Sequence, residues 1–302
     1  MSRIVSVVGA PSSAGAYAPG QEEAPAALRA AGLLELLDRA CELRDAGDLS
    51  GFRWRPDRAD RTAQNLADVA AMAVRVRDAV APVLRSGALA LVLGGDCTVG
   101  VGTVAGSTAA GGETGVVYLD MHADLNVPGS VPDGALDWMG VAHMLAVDGC
   151  RPQLRDIGPR TPLLDPARIV VLGHEEGQAT AWELETIRRL GVTCVPAATL
   201  RADPASAAVT ALAALPAGCT RILVHFDVDV VDFVDAPLSE NTGRNIGVPL
   251  DAALAALAEV LSDERAQALT VTELNPHHAS ADPDALPRLC AGLAGALGGP
   301  AR

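Results

Sequence analysis

Two short segments place several metal-binding side chains within a few residues of one another. Asp120, His122 and Asp124 lie in DMHAD, and Asp227 and Asp229 lie in HFDVD. Each segment closes an apolar, β-branched run, so the spacing predicts that residues i, i+2 and i+4 share one face while the chain stays extended. Carboxylates crowded in this way repel and raise one another's pKa, and bound cations are the natural compensation. Four carboxylates and one imidazole exceed what one ion needs, and suit two ions that share bridging oxygens. A donor set so rich in oxygen favours Mn²⁺ or a similarly hard ion. A lone D-x-D is most often a strand-end cap or a solvated loop acid. Two such clusters, one of them holding a histidine, point to metal instead.

Positioning these residues requires strands that end level with one another. Short runs rich in β-branched residues predict strands at 4–9, 88–95, 115–120, 168–173, 191–195, 221–229 and 268–274. Between them, segments of helical period predict helices near 22–40, 62–85, 98–108, 138–147, 179–190, 204–215, 249–261 and 284–297. Apolar strands separated by helices are the mark of a parallel sheet covered on both faces. The expected architecture is therefore a three-layer α/β/α sandwich with a mainly parallel central sheet, forming one domain over residues 1–302. Ligands collect at the carboxyl ends of such strands. Two further polar segments close predicted strands there, GGDC at 94–97 and TELNP at 272–276. The long irregular stretch 125–137, dense in Pro, Gly and Asp, is of a length that is often functional.

The chain has 302 residues and a formal charge of −14; all 23 of its Lys+Arg residues are arginine. Without lysine, Schiff-base chemistry and a phosphate-cradling P-loop are excluded. So negative a chain would be repelled by nucleic acid, and no nucleic-acid partner is expected. The six cysteines form no C-x-x-C pair and fit a reduced compartment better than a disulfide framework. The first apolar run is too short for a secretory signal, and no stretch approaches a membrane span. A cytoplasmic protein without membrane partners is expected.

Taken together, the motifs resemble those of the ureohydrolase (arginase/agmatinase) family. DMHAD resembles D-A-H-x-D, and FDVDVVD resembles S-F-D-V-D-x-x-D. GGDC stands where that family has G-G-D-H-S, and TELNP where it has V-E-V-N-P. The opening VVGAPSSAG and EEAPAALRAAGL also look like the arginase branch, so the likeness runs from about residue 4 to 290. It implies two metal sites: Cys97, Asp120, Asp124 and Asp227 for one ion, and Asp120, His122, Asp227 and Asp229 for the other. It further implies that a hydroxide between the ions attacks a guanidinium carbon, with hydrolysis of a C–N bond. Glu273 would pair with the guanidinium, and Asp124 would carry a proton to the leaving amine. A homotrimer or homohexamer is implied as well.

Three departures from the pattern bear on substrate and metal. Cys97 replaces a histidine; its thiolate adds negative charge, and the softer sulfur admits Zn²⁺ or Fe²⁺ beside Mn²⁺. In the 125–137 loop, Asn126 keeps a residue that contacts the substrate α-carboxylate. Val131 and Asp133, however, stand where arginases use Thr and Ser, and Asp137 replaces a proton-shuttling histidine, a role that Asp137 or the nearby His143 would take over. A carboxylate at 133 repels a substrate carboxylate, which argues against free arginine. The third departure is HEEG at 174–177, where Glu175 keeps negative charge for a cationic substrate group and His174 is new. His225 shares a face with Asp227 and is read as a hydrogen-bond partner of a ligand. The expected substrate is a small guanidino or amidine compound, such as a modified arginine or a simpler guanidino acid. A deacetylase of similar fold would use one metal and a paired-histidine acid/base; the second D-x-D and the lack of a suitable upstream His-His pair argue against it. The alternative of another class is a non-catalytic protein that binds metal or ligand.

Overall fold

The computed structural model describes residues 3–298. Eight strands form: β1 (Ile4–Gly9), β2 (Glu42–Asp48), β3 (Leu89–Leu93), β4 (Thr114–Leu119), β5 (Ile169–His174), β6 (Thr193–Pro196), β7 (Arg221–Asp227) and β8 (Ala266–Thr272). They make one sheet in the order β2-β1-β3-β8-β7-β4-β5-β6, and every pairing is parallel. The expected α/β/α sandwich is the fold the chain adopts.

The reason lies in two interleaved sets of apolar residues. Along β3, Leu89, Leu91 and Leu93 face one cluster and Ala90 and Val92 the other; along β4, Val117 and Leu119 oppose Val116 and Tyr118. Both faces need covering, so the strands read as unbroken hydrophobic runs. Helices 24–30, 33–40, 204–214, 250–262 and 285–298 close the first face, and helices 66–85, 99–110 and 140–144 close the second.

Strand β2 escapes the sequence pattern. Its residues ELRDAGD are mostly exposed, and it pairs only with β1. As an edge strand it has little core to face, and charge there discourages sheet-to-sheet association. Arg29, from the helix covering that edge, reaches Asp45 at 3.0 Å and Asp48 at 2.5 Å. The short helix Ala197–Ala202 was likewise not expected.

Register sets up the site. Leu93 pairs with Val271, Val271 with Phe226, and Phe226 with Leu119. The four central strands β3, β8, β7 and β4 thus end level, and the segments GGDC, TELNP, FDVD and DMHAD emerge side by side. The first loop approaches closely: a Cβ on Gly95 would lie 1.7 Å from the Ser12 carbonyl oxygen, so only glycine fits there. The 125–137 segment is irregular as expected, yet it is pinned, with Leu136 and Asp137 both donating from the backbone to the Gly15 carbonyl, at 2.6 and 3.1 Å. The six cysteines are unpaired. Among the described residues, no helix is long and apolar enough to cross a membrane.

Candidate metal centre

The two acidic segments converge through turns. The extended spacing read from the sequence does not hold, because β4 ends at Leu119 and β7 at Asp227. Asp120 accepts from the His122 backbone N–H at 2.6 Å, and Asp227 from that of Asp229 at 2.7 Å. Each aspartate thereby folds its own downstream neighbour back beside it, the local turn that Asp side chains favour. Val228–Val230 accordingly forms a 3₁₀ turn. Asp124 takes a left-handed backbone, φ 51°, and so does Glu273 at φ 63°. Two non-glycine residues held there cost of order 1 kcal/mol each, a strain that clusters at functional positions.

Among the described residues, two sets of donor atoms result, each with all members within 4.8 Å of one another: Cys97, Asp120, His225 and Asp227 in one, and Asp120, His122 and Asp229 in the other. Asp120 belongs to both. Cys97 Sγ lies 2.9 Å from Asp227 Oδ2, and His122 Nδ1 lies 3.1 Å from Asp229 Oδ2 and 3.4 Å from Asp120 Oδ1. Oδ2 of Asp120 and Oδ1 of Asp229 are buried without a hydrogen-bond partner. Orphaned buried carboxylate oxygens are what a bound cation would satisfy, so the donors fit two ions. Asp124, expected as a ligand, belongs to neither set; its Oδ2 accepts from the Tyr118 hydroxyl at 2.5 Å. His225, not expected as a ligand, is in the first set.

Electrostatics point the same way. Burial, reinforced by Asp229, pushes the Asp120 carboxyl up to about 7. Burial raises Asp227 well above the carboxylate range, with Asp229 and Asp120 adding to it, and it raises Asp124 likewise with help from Asp120. Burial opposes the charge on His122, yet Asp229 and Asp120 hold it protonated; Asp229 in turn stays ionised against burial because of His122. The Cys97 thiol is driven up by burial and then by Asp227. Protons accumulate here because the cluster needs positive charge, and metal binding would release them.

Above these donors opens a pocket of about 280 Å³. Its lining includes seven carboxylates, Asp124, Asp133, Asp137, Asp227, Asp229, Glu240 and Glu273, and no arginine. Glu273 is fixed from two sides, Oε1 accepting from Cys97 N and Oε2 from Gln21 Nε2, both at 2.8 Å. Asp137 and Asp133 also line it, and burial together with the neighbouring Asp96 raises the Asp137 carboxyl strongly.

Asn126 and Glu175 are not among the lining residues. Asn126 is buried behind the wall, where Oδ1 accepts from Thr180 Oγ1 at 2.6 Å. Of the loop after β5 it is Gln178 that lines the pocket. His143 is buried in its helix, and His174 is buried at the end of β5; neither lines the pocket. His277, which follows Glu273 closely in sequence, lies 3.3 Å from Glu23. Sequence reasoning missed Tyr17, Trp138, Gln178, Glu240 and Asn241. No spacing announces them; Glu240 arrives because its backbone N–H bonds the Glu273 carbonyl at 2.9 Å.

Comparisons with known proteins agree with this geometry. A family model described as the Arginase family matches residues 3–294. Human arginase-1 is 33% identical over 174 residues, covering 57% of this chain and 54% of its own length. Bacillus caldovelox arginase is 29% identical over 247 residues, covering 77% of this chain and 78% of its own. The chain thus spans about half the length of the human relative and more of the bacterial one. The solved structure of Bacillus caldovelox arginase superposes with a TM-score of 0.87 at 25% identity, covering 100% of this chain and 99% of that one. Formimidoylglutamase from Bacillus subtilis superposes at 0.77 with 18% identity, covering 99% of this chain and 88% of that one, a likeness of fold alone. On this match across nearly its whole length, the chain belongs to the arginase family.

Proposed function

We propose that the protein is a binuclear-metal hydrolase that cleaves a C–N bond of a small guanidino or amidine compound. One observation carries this reading: two donor sets sharing Asp120 lie beneath a pocket with seven carboxylates and no arginine in its lining. Bound there, two divalent ions would supply a nucleophile from water at neutral pH and Lewis acidity. The chain's own residues do the rest. Glu273, braced by Cys97 N and Gln21, presents a carboxylate to a planar cation, a pairing that favours bidentate geometry. Asp124, steadied by the Tyr118 hydroxyl, would accept a proton from the attacking water and pass it to the leaving amine.

The remaining acids of the lining select the rest of the substrate. Asp133 and Glu240, with no arginine beside them in the lining, disfavour a free carboxylate and suit a cationic or neutral head. We therefore favour an arginine-related compound, such as a modified arginine, over arginine itself. Cys97 makes the choice among Mn²⁺, Zn²⁺ and Fe²⁺ an experimental matter, and assembly as a trimer or hexamer belongs to the same proposal.

The test is to load the protein with each ion and follow urea, ammonia and amine release from a panel of guanidino and formimino compounds. Turnover of a guanidinoalkylamine or a carboxyl-modified arginine should exceed that of arginine in kcat/KM. Glu273→Gln should lower kcat/KM by roughly 100-fold or more. Full metal binding with no turnover of any compound would instead identify a non-catalytic binding protein.

A further inference from the structure

We infer that His225 is itself a metal ligand, forming with Cys97, Asp120 and Asp227 a buried site of one sulfur, one nitrogen and two carboxylate oxygens. This rests on the binuclear reading above and redraws one of its two sites. His225 Nε2 lies 3.2 Å from Cys97 Sγ, which lies 2.9 Å from Asp227 Oδ2. Donors placed tetrahedrally about 2.0–2.3 Å from a zinc-sized ion are themselves roughly 3.3–3.8 Å apart. The four residues, all buried, have donor atoms within 4.8 Å of one another, so little movement separates them from that arrangement.

The ring is also held in place for this role. It stacks on Tyr118 with centroids 4.0 Å apart and planes 3° from parallel, which keeps its nitrogen edge in the plane of the site. It fits because residue 100 is glycine: a Cβ there would lie 2.5 Å from Nδ1. Nδ1 is buried without a hydrogen-bond partner, while Nε2 is the nitrogen turned toward Cys97. Thr272 Oγ1, 3.0 Å from Nε2 and 3.4 Å from Sγ, is the competing hydrogen-bond partner.

Two differences from the resembled motifs meet at this site. Cys97 stands where the resembled motif has histidine, and His225 where it has serine; the structure sets them face to face. The site keeps one imidazole, now supplied by β7, and gains a thiolate. Such a mixed set draws the preference away from Mn²⁺ and toward Zn²⁺ or Co²⁺.

The test uses the full chain carrying His122→Asn, which removes the only other imidazole of the two donor sets, loaded with one equivalent of Co²⁺. X-ray absorption should find one sulfur and one imidazole around the ion, and the electronic spectrum should show a thiolate-to-cobalt charge-transfer band that Cys97→Ser abolishes. In the otherwise native chain, His225→Gln should weaken Co²⁺ binding by more than about 100-fold, with circular dichroism reporting whether this variant folds. A shell with sulfur and no imidazole would overturn the assignment of His225 and leave the binuclear reading intact. Failure of the native chain to bind Co²⁺, Zn²⁺ or Mn²⁺ at all would overturn both.

Discussion

His143 shows how burial makes a single residue sensitive to acid. Its Nδ1–H donates to the Met139 carbonyl at 2.7 Å, and its Nε2 accepts from Arg151 N at 3.2 Å, so the neutral ring uses both nitrogens. Burial lowers its pKa from 6.5 to about 4. The folded state therefore binds this proton more weakly than the unfolded chain. The stabilising contribution is whole above pH 6.5 and is lost as pH falls toward 4. Wild type should lose up to about 3 kcal/mol over that interval relative to His143→Gln, which has no proton to take up. Denaturant unfolding of both proteins across the interval measures it; a difference that stays constant with pH would refute the assignment. The same burial removes His143 from the proton-transfer role considered for it, since its ring does not face the pocket. Asp137, which does line the pocket, keeps that role as a proposal.

At the scale of the element, the site depends on how closely the loop after β3 approaches the loop after β1. Asp96 N donates to Ser12 O at 2.9 Å, and Glu273 N donates to Gly95 O at 2.8 Å. Asp96 Oδ2 in return accepts from Gly15 N at 3.0 Å. Gly95→Ala must push these backbones apart, since its Cβ would overlap the Ser12 carbonyl. A loss of about 3 kcal/mol or more is expected in chemical denaturation, together with weaker metal binding, because Cys97 and Glu273 both hang from this contact. A stability within about 0.5 kcal/mol of wild type would show that the loop yields easily. Strand β2 is the contrasting case. Its exposed Arg29–Asp45 and Arg29–Asp48 pairs contribute little individually, and its place comes from pairing with β1.

For the whole molecule, the −14 charge is unevenly distributed. Seven of its 37 Asp+Glu residues line a single pocket, a crowding that opposes folding until cations arrive. Metal should therefore stabilise the entire chain. At a free ion concentration about 100 times Kd, unfolding should cost about 2.7 kcal/mol more than in chelator. Calorimetry with Zn²⁺, Mn²⁺ and chelator gives the comparison, and equal melting temperatures in all three would mean that the cluster does not bind these ions in the native state.

What the sequence determined by itself was the alternation of apolar strands with helices, the carboxylates at the strand ends and the family motifs. These are local: a strand's period and a motif's spacing are written in consecutive residues. Edge strand β2 stayed hidden because a strand with little core to face has no apolar signature. The tertiary structure alone decided which donors meet. Parallel register brought β3, β8, β7 and β4 level, two Asx turns folded His122 and Asp229 back, and Asp124 came to rest against the Tyr118 hydroxyl. It also set Cys97 against His225, 128 residues apart in sequence. Glu240 and Tyr17 entered the pocket the same way. Chemistry between side chains depends on distance in space, and for these residues only the packed sheet fixes that distance.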